Sequence, residues 1–358
     1  MKNNWETKKL GEVLEYEQPT QYIVSSTNYK EDYKTPVLTA GKSFVLGKTK
    51  EKNGIFPAKD LPVIIFDDFT TATKFVDFPF KVKSSAMKIL HPVKNVSDAK
   101  FLFYLMQNIN FDHAGIHKRY WISEYSKIEI LLPPLMQQKR IARTLDEAFQ
   151  KVTKARAAVE KNLQNSQELF ESYLQKIFAN LGDGWESIDF ERSTDKVVYT
   201  TKIQRKKFLE SGKFPVVSQE KDLINGYWDV KEDVFKIKRP VVIFGDHTQI
   251  IKYIDFNFVL GADGVKILQP KEFLFPRFFY YWLKSINLKK LGYARHYRLL
   301  REKQILYPKS ISEQKSIAHK LDALSVDTNK LENNYERKLV DLAEFKKSIL
   351  KMAVTNLL

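Results

Sequence analysis

The chain says nearly the same thing twice, about 178 residues apart. Leu61-Pro62-Val63-Ile64-Ile65-Phe66-Asp67-Asp68 is followed by Thr70, Lys74, Asp77, Phe78 and Phe80. Arg239-Pro240-Val241-Val242-Ile243-Phe244-Gly245-Asp246 is followed by Thr248, Lys252, Asp255, Phe256 and Phe258. Trp5-Glu6 returns as Trp185-Glu186. Gln138-Lys139-Arg140-Ile141-Ala142 with Leu145-Asp146 returns as Gln314-Lys315-Ser316-Ile317-Ala318 with Leu321-Asp322. The offset drifts only from 180 to 176, so loops differ by a residue or two while the elements stay in step. A period this long means two copies of a whole domain with its connector, not a solenoid.

Length and composition set the class. A chain of 358 residues has room for two to three domains, and 43% hydrophobic with 13% aromatic residues argues for packed cores. No run of about 18 apolar residues occurs and no signal-like segment opens the chain, so a soluble, cytoplasmic protein without membrane contact is expected. With no cysteine, disulfides, thiolate metal sites and cysteine nucleophiles are excluded. Of the net charge of +16, residues 1–136 carry +4 and residues 181–312 carry +8. Basic globular parts beside nearly neutral helices form the electrostatic footprint of a polyanion binder, although lysine-rich codon usage produces the same balance. Two similar readers suit a partner with repeating, two-ended geometry, and double-stranded DNA is the obvious candidate.

Within each copy, short apolar runs bounded by turn formers read as strands. Pro36–Thr39, Val63–Phe66 and Met87–Leu90 have their counterparts in Pro215–Ser218, Val241–Phe244 and Val265–Leu268. A helix is expected around Phe101–Gln107 and again around Phe278–Leu283. The pattern then changes. After Pro133-Pro134, residues 137–179 contain neither proline nor glycine, and neither do residues 311–358. Ile141, Leu145, Ala148, Val152, Ala155, Val159, Asn162, Ser166, Leu169 and Tyr173 alternate steps of four and three, as a heptad seam does. The second copy offers Ile317, Leu321, Leu324, Thr328, Leu331, Tyr335, Lys338, Leu342, Phe345, Ile349 and Met352. At 1.5 Å per residue, 43 helical residues extend roughly 65 Å. For the second helix to bury its seam against the first it must run back. The expected fold is therefore α+β, with strand-rich domains at 1–133 and 183–309. Long helices at 134–182 and 310–358 separate them and form an antiparallel coiled coil; the alternative is two solvent-bridging helices that seek other partners. Asn162 and Lys338 occupy equivalent polar seam positions that either fix register or lie where the seam is open.

Catalytic motifs fail on spacing. Ala40-Gly41-Lys42-Ser43 resembles the end of a phosphate loop, but the glycine required five residues before Gly41 is Pro36. Leu132-Pro133-Pro134-Leu135 lacks the flanking polar and aromatic residues of an amino-methyltransferase motif and reads as a turn before a helix. His113 and His117 have an i, i+4 spacing with no convincing third ligand. Asp98-Ala99-Lys100 and Asp229-Val230-Lys231 lack the Pro-Asp that a nuclease core places upstream. No metal, cofactor or catalytic residue is assigned.

The basic segments remain. His117, Lys118, Arg119 and Tyr120 occupy the place of Arg295, His296, Tyr297 and Arg298 just before each long helix, with Tyr293 close by. Arginine forks read guanine or clamp phosphate, while aromatic and histidine rings pack on bases or sugars. The loops Asp68–Lys74 and Asp246–Lys252 add Thr70, Thr71 and Lys74, and His247, Thr248 and Gln249. Lys42, Lys48 and the run Lys202, Arg205, Lys206 and Lys207 supply further cations. Any single one of these residues also fits a solvated face. Equivalent scaffolds with different loops, such as Asp67 against Gly245, are what two readers of different sequences require.

The chain resembles a specificity subunit of a type I restriction–modification system. The resemblance covers essentially the whole length. It rests on Pro133-Pro134-Leu135-x-Gln137-Gln138-Lys139-x-Ile141-Ala142, its echo from Pro308 through Glu313-Gln314-Lys315 to Ala318, and the Trp-Glu openings. It also rests on the strand pair ending in Phe66-Asp67-Asp68-Phe69-Thr70 or Phe244-Gly245-Asp246-His247-Thr248. The second echo has Tyr307-Pro308 in place of Pro-Pro. The resemblance implies target-recognition domains that each read half of a split, asymmetric DNA site, with helices that set the unread gap. It implies that those helices dock two methyltransferase subunits and, through them, restriction subunits. S-adenosylmethionine would belong to the methyltransferases, which methylate adenines flipped from the stack, and this chain would be non-catalytic. The alternatives are a two-headed protein-binding adaptor of a defence system and the recognition subunit of a fused restriction–methylation enzyme.

Overall fold

The computed structural model describes residues 4–39, 43–111, 119–179, 184–262, 264–289, 291–292 and 294–355. It divides into two compact units, residues 1–158 with 338–358 and residues 159–337. Each is described by itself.

In the first unit, strand β1 (Glu6–Lys9) leads through a helical turn α1 (Leu10–Val13) into β2 (Leu14–Glu17). Then come β3 (Thr35–Leu38), β4 (Val45–Thr49), β5 (Val63–Asp67), β6 (Thr73–Val76), β7 (Lys81–Val82) and β8 (Met87–Pro92). Helix α2 (Ala99–Met106), the short α3 (Tyr120–Ser123) and β9 (Glu129–Leu132) precede the long helix α4 (Leu135–Ala179). One sheet has the order β2-β8-β5-β6, all antiparallel; another has β4-β3-β7, in which β3 and β7 are parallel; β1 pairs with β9.

Strand β5 explains why this segment reads as an unbroken apolar run. Alternate side chains of a strand face opposite ways, and both faces here are covered. Ile64 and Phe66 pack with Phe101, Leu102 and Leu105 of α2, whereas Val63 and Ile65 pack with Leu38, Phe56, Phe80 and Val82. All four are at most 3% exposed.

The second unit repeats the plan. Strand β10 (Trp185–Asp189), α5 (Phe190–Ser193), β11 (Thr194–Asp195), β12 (Lys202–Ile203), β13 (Phe214–Val217), β14 (Gly226–Trp228) and β15 (Val234–Phe235) come first. They are followed by β16 (Val241–Gly245), β17 (Ile251–Ile254), β18 (Phe258–Gly261), β19 (Val265–Pro270), α6 (Pro276–Ser285), α7 (Tyr297–Arg301), β20 (Gln304–Pro308) and α8 (Ile311–Val354). The order β11-β19-β16-β17 matches β2-β8-β5-β6, and β10 pairs with β20 as β1 does with β9. Strand β16 has the same two faces: Val242 and Phe244 meet Phe278 and Phe279, and Val241 and Ile243 meet Val217, Phe258 and Leu260.

The repeated glutamine has a definite task. Gln138 is fully buried at the start of α4, donates to the carbonyls of Val96 (2.9 Å) and Pro133 (2.8 Å), and accepts from Asp98 N (2.8 Å). Gln314 donates to Phe273 O (2.9 Å) and Pro308 O (2.8 Å) and accepts from Phe275 N (2.7 Å). One buried amide thus satisfies three backbone groups, two in the segment that leads into α2 or α6 and one in the turn that opens α4 or α8. Two turns later, Asp146 accepts from Tyr104 OH (2.5 Å) and pairs with Lys100 (2.7 Å), as Asp322 does with Tyr281 OH (2.6 Å) and Arg277 (2.7 Å).

Both long helices are present, but the heptad seam is not followed throughout. Leu145, Val152, Leu321 and Thr328 are buried, whereas Leu169 (54%), Tyr173 (38%), Leu331 (41%) and Phe345 (54%) are exposed. A straight helix falls about 20° behind a seven-residue repeat in each heptad. Across the four heptads from Ile141 to Leu169 the seam therefore shifts by nearly one residue. Phe170 and Leu174 turn inward in place of Leu169 and Tyr173 and join Phe278, Tyr281 and Trp282. In the first unit, Phe345, Leu342 and Ile349 line a groove of about 390 Å³ with Ala148, Val152 and Ala155, which are too small to close over the ring. Leu145 clusters there with Ala353, so the two helical segments pass in opposite senses. Asn162 and Lys338 are both exposed.

Gln138→Ala is expected to destabilise the first unit by about 3 kcal/mol, since it orphans one N–H and two C=O groups. Lys139→Ala, at an exposed neighbouring position, is expected to change stability by less than about 0.5 kcal/mol. Calorimetric unfolding of the two variants checks this.

Candidate nucleic-acid interface

In the first unit the β5–β6 hairpin ends in a turn built by its own side chains. Asp67 accepts from Phe69 N (3.0 Å) and from the Thr70 hydroxyl (2.6 Å), and Thr71 adopts φ +57°. The neighbouring Asp68 is 2% exposed and faces Lys88, itself 1% exposed, at 3.4 Å. Its other carboxylate oxygen accepts from Trp121 N (2.8 Å), and its backbone carbonyl accepts from Tyr120 N (3.0 Å). A buried ion pair thereby fastens the segment that begins at Arg119 to the hairpin turn. Arg119 and Lys74 are exposed, and the Lys74 ammonium lies 5.8 Å from the Phe44 ring. Lys48 is engaged locally with Glu31, at 3.1 Å from its carbonyl and 3.8 Å from its carboxylate.

The second unit contains the same anchor. Asp246, 3% exposed, accepts from Tyr297 N (2.7 Å) on one carboxylate oxygen, and its carbonyl accepts from His296 N (2.8 Å). Lys266 stands 3.9 Å from the other carboxylate oxygen and is one-third exposed. The turn itself is braced differently. The loop 218–225 lies against it: His247 N donates to Gln219 Oε1 (3.1 Å) and the Thr248 hydroxyl to Gln219 O (2.7 Å). Gly245 is required there, because a Cβ would run into the Thr248 hydroxyl and the Gln219 side chain.

Below this loop, Lys252 is 4% exposed. Its ammonium donates to Asp222 O and to Asn225 Oδ1 (2.9 Å). Burial holds its pKa down to about 8, against the opposing pull of the Glu220 and Asp222 carboxylates. Glu220 also pairs with Arg205 at 3.1 Å, which joins the exposed turn carrying Lys206 and Lys207 to the same surface. Lys202 is exposed and lies 5.0 Å from the Tyr199 ring. Arg295 and Arg298 are exposed, whereas Arg301 is held by Glu191.

The structure therefore brings together Thr70, Thr71, Lys74 and Arg119 in one unit, and His247, Thr248, Gln249, Arg205, Arg295 and Arg298 in the other. Lys42, His117, Lys118 and Tyr293 lie outside the described residues, as does His113. Two expected contacts are corrected. Tyr120 is 2% exposed and its ring packs against Phe111. His296 is also 2% exposed; its Nδ1 faces Asp246 O (3.0 Å) and its Nε2 accepts from Leu291 N (3.1 Å). Both rings hold the basic segment in place and have no free face for a base. Tyr297 is half-buried between Phe190 and Phe244.

A family model described as the type I restriction modification DNA specificity domain matches residues 2–162 and matches again at residues 196–340. The chain belongs to this family. The specificity subunit of the type I restriction enzyme EcoR124I/EcoR124II from Escherichia coli is 46% identical over 167 residues, which is 44% of this chain. The match covers 41% of that relative's length. A chain from a solved structure on complex assembly and conformational transition of the type I restriction–modification system superposes with a TM-score of 0.73 at 17% identity. That match covers 98% of this chain and 97% of the other. The HsdS subunit from Thermoanaerobacter tengcongensis gives 0.56 at 16% identity, with 99% of each chain covered. At such identities the likeness is one of fold.

For this member of the specificity family, sequence reasoning missed the residues that assemble the surface: Asp68 with Lys88, Asp246 with Lys266, and Gln219. The two pairs recur at the same offset of 178, so the repeat carried their signal. A lysine inside an apolar strand carries no local mark of the buried carboxylate it faces. Gln219 follows β13 in a loop with no counterpart motif. Among the described residues, no group of three or more His, Asp or Glu is placed to hold a metal ion, and no helix is long and apolar enough to cross a membrane.

Asp68→Asn is expected to destabilise the first unit by about 3 kcal/mol, because buried Lys88 loses its carboxylate partner and keeps only the neutral Gln18 side-chain oxygen as an acceptor. Asp246→Asn is expected to cost less, since water reaches Lys266. Chemical denaturation of the two variants beside the wild type measures the difference.

Proposed function

We propose that this chain is the DNA-reading subunit of a type I restriction–modification complex, each unit reading one half of a split, asymmetric site. The observation that carries this reading is the twice-built anchor, in which a buried aspartate fastens a basic segment to a hairpin turn while the exposed side chains around it differ. A conserved frame with different tips fits two readers of two different sequences. Phosphate contacts fall to Lys74, Lys202, Lys206 and Lys207, and base edges to Arg119, Arg295, Arg298, Thr70, Thr71, His247, Thr248 and Gln249. Lys42, Lys48, His117, Lys118 and Tyr293 stay in the set of candidate contacts.

In the same reading α4 and α8 form an antiparallel coiled coil that sets the unread gap. They dock two methyltransferase subunits and, through them, restriction subunits. The support is apolar surface left open on these helices: Met136 (77%), Leu169 (54%), Val326 (51%), Val340 (57%) and Phe345 (54%). The chain contributes recognition and scaffolding without catalysis. S-adenosylmethionine belongs to the methyltransferases, and the complex works in the cytoplasm.

Single-molecule methylation sequencing of a methyl-free host that expresses this chain with the methyltransferase encoded beside it tests the reading. The expected result is methylated adenine in a split motif with a fixed gap, lost when this chain is omitted. No new methylation despite a soluble complex would favour a protein-binding adaptor. On the motif so obtained, Arg298→Ala is expected to weaken binding by about 1–3 kcal/mol and to relax one position of one half-site. An equal loss on every sequence, measured by titration with unrelated duplexes, would reassign the arginine to phosphate.

A further inference from the structure

The loop between β13 and β14 puts two apolar side chains where the surrounding surface is polar and basic. Leu223 is 47% exposed and Ile224 38% exposed, side by side at the tip. Neighbouring aliphatic residues on a loop ordinarily fold back onto a core, because burial removes their apolar surface from water. Here the loop's own hydrogen bonds prevent it. Asn225 Oδ1 accepts from Ser218 N (2.8 Å), the Ser218 hydroxyl (2.9 Å) and the Lys252 ammonium (2.9 Å). Asn225 Nδ2 donates to Asp222 O (3.1 Å), which also accepts from Lys252. The buried lysine therefore grips the residue on either side of the Leu223–Ile224 pair and holds the tip outward. In the first unit the corresponding lysine, Lys74, is exposed, so this device belongs to the second unit alone among the described residues.

The tip is continuous with the candidate interface. The same loop bonds His247 N and the Thr248 hydroxyl through Gln219, and its Glu220 meets Arg205 on the turn with Lys206 and Lys207. An apolar tip held outward beside the basic turn Arg205–Lys207, with Glu220 already paired to Arg205, meets a polyanion that carries few apolar features. In the major groove of DNA the one such feature on a base edge is the C5-methyl group of thymine. We propose that loop Gln219–Asn225 is a base-reading element whose Leu223 and Ile224 close on the methyl group of a thymine in the half-site read by the second unit. The inference rests on the DNA-reading function proposed above.

The test uses the full chain in complex with its methyltransferase. Its target is a duplex bearing the split motif, in which each thymine in turn is replaced by deoxyuridine, which lacks only the methyl group. At one thymine, or two adjacent ones, the wild type is expected to bind the deoxyuridine duplex about fourfold more weakly, the worth of one buried methyl. The double variant Leu223→Ala/Ile224→Ala is expected to bind the two duplexes equally at that position. Leu223→Ser serves the same purpose if the double variant does not fold, and the wild-type scan needs no variant at all. Wild-type binding indifferent to every replacement, a motif without thymine, or a variant that keeps the discrimination would each overturn the inference. So would loss of the methyltransferase from the double variant, which would make the tip a protein contact. In all these outcomes the wild type still selects its motif, whereas failure of the DNA-reading function shows as no selective binding to any duplex.

Discussion

Each unit is organised around a strand with no solvent face. Because β5 and β16 are covered by a helix on one side and a second sheet on the other, neither strand can slip by a residue without sending each set of side chains into the space shaped for the other. That constraint reaches the surface through the last residues of the strand. Asp68 and Asp246 follow directly on the two-faced run, so their carboxylates emerge at a fixed height and angle. The N–H groups of Trp121 and Tyr297 complete the anchor. The basic segments are thereby placed by the core rather than by their own conformational preferences.

The two copies meet the same requirements with different chemistry. Helix α2 is capped by the Asp98 side chain on Lys100 N and Phe101 N, whereas α6 begins with Pro276 and needs no donor satisfied there. The hairpin turn of the first unit is braced from within by Asp67. That of the second is braced from outside by Gln219, and this is possible only because Gly245 leaves room. Residues that hold the frame, such as Gln138 and Gln314 or Asp146 and Asp322, keep both identity and partners. Residues that brace the tips have diverged, which is the pattern expected when frame and reading surface answer to separate demands.

The frame was largely legible in the sequence, since strands, helices and the repeat follow from apolar patterning and from proline and glycine placement. The seam of the long helices was legible only near its start. A seven-residue template ignores the drift of a straight helix, and Phe170 and Leu174 pack against α6 as well as with Ile317, Ala318 and Leu321 of α8. The surface was half legible. Composition marks Tyr120 and His296 as nucleic-acid contacts because aromatic and histidine residues amid arginines usually are. Their burial depends on backbone groups from residues about 50 positions away, which no local pattern reports. Lys88 and Lys252 were hidden for the same reason, since a lysine looks identical in sequence whether it is solvated or buried with partners.

Lys252 shows what such hidden residues contribute. A buried ammonium is costly, and its pKa of about 8 records that cost. Because the folded value lies below the ordinary one, the penalty is in full force below pH 8 and is relieved as pH rises from there toward the ordinary lysine range. At neutral pH the second unit therefore retains a destabilising group where a methionine would fill the space without a charge to desolvate. What the ammonium supplies in exchange is geometry: two hydrogen bonds on either side of Leu223 and Ile224, which an apolar side chain cannot make. A loop whose shape is already fixed loses less conformational freedom on binding. Core stability given up at one lysine is thus converted into order at the surface, where an apolar tip is held against its tendency to bury itself.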